Sequence, residues 1–78
     1  MGKKLPSMVV DQLLACGWNP LQSDKKDDAW VRDGVSLVIS PSHTTQFMFG
    51  VEWSRLGSVK VRFLDQQGLF RVIDSGSF

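Results

Sequence analysis

Apolar and polar positions change period once along the chain. In "PSMVVDQLLACGW", Val10, Leu13, Leu14 and Gly17 recur at helical spacing, with Val9 and Cys16 on the flanks of the stripe. The spacing predicts one helix of about three turns. Ser7 is a candidate N-cap, with a hydroxyl able to accept from an unpaired backbone N–H of the first turn. Gly17 suits the left-handed residue after a helix end, Trp18 can fold back on the last turn, and Asn19-Pro20 blocks continuation. So short a helix does not persist alone in water and is expected to pack on something.

After the polar connection "LQSDKKDD" the period becomes two. "AWVRDGVSLVIS" sets Asp33-Gly34 between apolar runs, a hairpin signal. "QFMFGVEW" alternates Phe47, Phe49, Val51 and Trp53 against Gln46, Met48, Gly50 and Glu52. "SRLG" reads as a turn, and "SVKVRFL" then alternates Val59, Val61 and Phe63 against Lys60 and Arg62. "DQQG" reads as a second turn. "LFRVID" reads as a last strand, with Phe70 and Val72 on one face and Leu69, Arg71 and Ile73 on the other.

The expected fold is therefore α+β: one N-terminal helix on a four- to five-stranded antiparallel meander, curling towards a partial barrel. Residues 1–78 read as one small domain, with 1–5 a loose arm and 75–78 a tail. The helix stripe is expected to cover a face carrying Phe47, Phe49, Val51, Trp53, Val59, Val61, Phe63, Phe70 and Val72. The interior strand glycine, Gly50, is read as a bend or a packing need rather than a ligand contact.

Composition narrows function mostly by exclusion. The net charge of +1 points to neither nucleic acid nor membrane. With Cys16 the only cysteine, no internal disulfide can form, and a reducing, cytoplasmic setting is expected. The opening "MGKKLPSMVVDQLLA" is interrupted by Asp11 and Gln12 and reads as mature sequence rather than a signal peptide. Pro6 stands where a myristoylation motif needs Ser or Thr.

Catalytic and metal chemistry find little support. His43, the one histidine, sits in "SPSHTTQ", a loop composition, and nothing requires it to meet Cys16 or an orienting group. One histidine and one cysteine cannot form a spaced ligand set, "DKKDD" lacks the central glycine of a calcium loop, and no glycine-rich phosphate motif occurs. No cofactor and no enzyme activity are expected.

The basic residues of the second half are the suggestive feature. Alternation puts Lys60, Arg62 and Arg71 opposite the aromatic face, beside Met48, Leu69 and Ile73, as a mixed basic and apolar surface. Trp30 beside Arg32 adds a candidate anchor, because tryptophan and arginine dominate interface hot spots. The expected function is a non-enzymatic protein-binding domain, accessory or inhibitor-like, docking by that face or by an exposed edge strand; size alone suggests the accessory proteins of phages or mobile elements. A homodimer by edge pairing is an option. The alternative is a nucleic-acid-binding module using Lys60, Arg62 and Arg71, and the competing ordinary reading is a solvated sheet face.

Overall fold

The computed structural model describes residues 5–21, 28–42 and 48–78. The elements run α1 (Ser7–Ala15), β1 (Asn19–Pro20), β2 (Asp28–Arg32), β3 (Val35–Pro41), β4 (Met48–Arg55), β5 (Ser58–Asp65) and α2 (Gln66–Ser75). The strands form one antiparallel sheet in the order β1-β2-β3-β4-β5, a meander with β1 and β5 at its edges. The α+β class and the meander match the sequence reading; the sheet is not closed into a barrel. Among the described residues, no helix is long and apolar enough to cross a membrane.

The end of α1 follows its sequence signals. Gly17 takes φ 88°. Its N–H donates to the Leu14 carbonyl at 3.1 Å, and the Trp18 N–H donates to the Leu13 carbonyl at 2.9 Å. This pair of bonds satisfies carbonyls that the helix end would leave orphaned. The start differs from expectation. Pro6 is the N-cap, no side chain caps the helix, and Ser7 is already helical. The buried positions are Val9 and Leu13, joined by Leu5, whereas Leu14 is exposed. The i, i+4, i+8 row from Leu5 turns the buried stripe away from Leu14.

The larger correction concerns the C-terminal segment. "LFRVID" is not a strand but the body of α2. Asp65 is its N-cap, and its Oδ1 accepts from the Gly68 N–H at 2.8 Å. "DQQG" is thus a helix start rather than a turn. As a strand this segment would split its apolar residues between two faces. As a helix it buries Leu69, Val72 and Ile73 together, at i, i+3 and i+4, with Phe70 half-buried. Gly76 then ends the helix at φ 82°, its N–H donating to the Val72 carbonyl at 2.7 Å. The fifth strand is instead β1, where Asn19-Pro20 pairs with Val31 and Trp30 of β2.

Both helices lie on one face of the sheet. Val9 and Leu13 of α1, and Leu69 and Ile73 of α2, join Leu37, Ile39, Phe49 and Val51 of the sheet in one buried cluster. Among the described residues no helix lies on the other sheet face, so they form two layers, helices on one side and an outer sheet face on the other.

Candidate functional site

Register decides which residues share that outer face. Val51 pairs with Arg62, Trp53 with Lys60 and Phe49 with Leu64. Directly opposed residues of adjacent strands point to the same side. Lys60 and Arg62 therefore lie on the helix side, with the aromatic residues of β4, and not opposite them as alternation suggested. Val59, Val61 and Phe63 pair with Ser54, Glu52 and Gly50 and so lie on the outer face. They are exposed: Val61 is 64% accessible and Phe63 72%. The expected single face of nine apolar residues is thereby divided, since the β5 residues stand on the far side. Phe47 falls outside the described residues.

The turn before β5 extends the apolar strip. Leu56 and Gly57 both take positive φ, 51° and 86°, as a two-residue type I′ turn requires. The other two-residue turn, Asp33-Gly34, meets the same demand with φ 52° and 80° and uses a residue that tolerates it. Leucine does not tolerate it well, and Leu56 is 93% exposed, so its side chain gains nothing from the fold. A strained, solvent-facing leucine next to three exposed apolar residues is a feature that stability does not explain. The sequence signal was available, a leucine where such a turn favours Asn or Asp, but "SRLG" reads as a turn without it.

The Phe63 ring edge lies over Gly50, its register partner. A Cβ built at Gly50 would stand 3.6 Å from that ring, an ordinary van der Waals contact, so the spacing there does not by itself require glycine.

The basic residues have different surroundings. The Lys60 ammonium stands 5.4 Å from the Trp53 ring centroid and the Arg62 guanidinium 5.4 Å from that of Phe78. In both the charged head lies over an aromatic ring while the residue as a whole stays exposed. Arg71 projects from the exposed side of α2, and with Arg62, Leu64 and Phe78 it lines an open cleft of about 390 Å³ between β5 and α2. Among the described residues the one ion pair joins Arg32 to Asp33, at 4.0 Å. Lys60, Arg62 and Arg71 thus carry charge that no described carboxylate neutralises at ion-pair distance.

Trp30 and Arg32 do not form a surface anchor. Trp30 is buried in the core, and its indole N–H has no partner among the described residues. Arg32 is turned inward across the ends of both helices. Its Nη1 donates to the Cys16 carbonyl at 2.9 Å and the Ile73 carbonyl at 3.2 Å, and its Nη2 donates to the Asp74 carbonyl at 3.2 Å. Its guanidinium lies 4.9 Å from the Trp18 ring centroid. A cation at two helix C-termini complements both dipoles and caps both sets of carbonyls. The Trp18 and Trp53 indoles complete the clamp, donating to the Ile73 and Gly76 carbonyls at 2.7 and 2.8 Å. Met48 is half-buried on the outer face, opposite Asp65.

His43 lies outside the described residues. Cys16 is partly buried, and its Sγ accepts from Gln12 Nε2 at 3.4 Å. Among the described residues, no group of three or more His, Cys, Asp or Glu side chains could hold a metal ion. No family model, curated protein or solved structure matches the chain.

Proposed function

We propose that this chain is a non-enzymatic protein-binding domain that docks through β5, with Leu56, Val59, Val61 and Phe63 as its apolar contacts. The observation that carries the reading is the state of this edge. Eight residues of strand end the sheet, among the described residues no further strand lies beside them, and their outward apolar side chains are exposed. Long, exposed, apolar edges invite pairing and are usually blunted. The opposite edge shows such blunting, since β1 is two residues long and contains Pro20. One edge is closed to partners and the other left open.

The nucleic-acid reading draws on Lys60, Arg62 and Arg71, but single-strand binders combine cations with stacking rings in one groove. Here the exposed ring of Phe63 stands on the opposite side of β5 from Lys60 and Arg62, and the rings beside those two cations, Trp53 and Phe78, are half-buried beneath them.

A photo-crosslinking residue placed at Val61, with a second placed at the exposed Met8 of α1, tests the proposal in nuclease-treated lysate. Capture of one protein from position 61 but not 8, lost with Phe63→Glu, is the expected result. Equal capture from both positions, or products that disappear with nuclease, would refute it.

A further inference from the structure

We infer that the partner presents an extended segment that adds to the sheet beside β5, with acidic residues alternating with apolar ones. This rests on the docking reading above and specifies the chemistry of what docks.

The two sides of the edge differ in both charge and polarity. On the helix side stand Lys60 and Arg62, with Arg71 across the cleft. On the outer side stand Val59, Val61 and Phe63, and the charged neighbours there are Glu52, the register partner of Val61, and Asp65, the register partner of Met48. An added strand places successive side chains on alternate sides. Its helix-side residues meet guanidinium and ammonium groups that have no carboxylate partner among the described residues, which favours Asp or Glu. Its outer residues meet an apolar stripe flanked by carboxylates, which favours Val, Ile or Phe and disfavours acids. The open cleft between β5 and α2 leaves room for a carboxylate to reach Arg62 and Arg71 together. Three apolar side chains alone fall well short of the about 800 Å² per partner of a standard interface, so backbone pairing along the strand has to supply the rest.

A second copy of the chain fits less well. Antiparallel self-pairing centred on Val61 sets Val59 against Phe63 but also Lys60 against Arg62, like charges directly opposed. Centring on Lys60 or Arg62 opposes a cation to itself. Centring on Val59 or Phe63 avoids this, but the paired run then shrinks to 58–60 or 61–65, because β5 spans Ser58–Asp65.

The test selects binders from a random peptide display library on the intact protein. The selected synthetic peptides are then mapped by amide chemical-shift changes, and the protein's mass is followed by sedimentation. The expected result is enrichment of alternating acidic and apolar sequences that perturb residues 58–65. Arg62→Glu and Arg71→Glu should each weaken these peptides at least ten-fold, and Arg62→Lys less. Peptides that map to β5 but lack the acidic alternation, or that ignore both charge reversals, would overturn this inference and leave the docking reading intact. Peptides that map elsewhere, or no binders at all, would overturn both. A dimer in sedimentation that Val61→Lys dissociates would overturn the inference in favour of self-pairing.

Discussion

Val51 of β4 and Arg62 of β5 are register partners on the same side of the sheet, yet Val51 is fully buried and Arg62 is exposed. The fully buried part of the core ends between these two strands, with Leu64 of β5 partly buried against it. At Lys60 and Arg62 the helix side of β5 turns basic, and Val59, Val61 and Phe63 stand on the outer side. Truncation should show this boundary. Val51→Ala is expected to cost about 2 kcal/mol, from lost methyl burial and a cavity. Val61→Ala should change stability by less than about 0.5 kcal/mol, as surface substitutions do. Urea denaturation of the two variants measures the contrast.

The Leu56 turn should respond in the opposite sense. Replacing Leu56 by Asn puts a residue that tolerates positive φ at the first turn position. The expected gain is about 0.5–1 kcal/mol in unfolding free energy, with weaker capture of the partner. Thermal unfolding and the crosslinking yield from position 61 read the two effects. A stability loss would mean that Leu56 packs on something that its exposure does not reveal.

Arg32 is expected to matter for folding more than any other cation here. Arg32→Met removes donors to three carbonyls at two helix ends, and the expected loss is about 2–3 kcal/mol. Arg32→Lys keeps the charge but loses the fork and should recover part of it. Arg62→Met, at the edge, should stay within about 0.5 kcal/mol of the parent. Chemical denaturation of the three variants ranks them.

The cap of α2 offers a local test. Asp65→Ala removes the acceptor of the Gly68 N–H and should cost about 1 kcal/mol, whereas Asp65→Asn should cost a few tenths. Amide exchange at Gly68 should rise sharply in the alanine variant and little in the asparagine one.

Trp30 lends itself to a substitution that removes a polar atom rather than a contact. Its buried N–H has no acceptor among the described residues, so Trp30→Phe exchanges lost area against relief of an unsatisfied donor. The net change should stay under about 1.5 kcal/mol, well below the about 3–5 kcal/mol of an ordinary large aromatic truncation to alanine. Calorimetry decides between the two magnitudes.

Much of this architecture was legible along the chain. The helix end at Gly17-Trp18, the Asp33-Gly34 hairpin and the alternation of β4 and β5 all rest on local chemistry, and each appears where that chemistry places it. The α2 helix was legible too, in Asp65 followed by Leu69, Val72 and Ile73. It was missed because two apolar runs of opposite parity also satisfy a strand pattern. Tertiary structure resolves the tie, since a helix delivers all three side chains to one core and a strand would strand some of them outside it.

The candidate site divides along the same line. Alternation along β5 determined that Val59, Val61 and Phe63 share one side and that Lys60 and Arg62 share the other. It could not determine which side meets the helices, because a period of two is unchanged when the strand is turned over. That choice belongs to the register with β4, which seats Arg62 beside Val51, and to both helices packing on that one side. Only the tertiary structure therefore made the basic residues neighbours of the core and left the apolar stripe facing out.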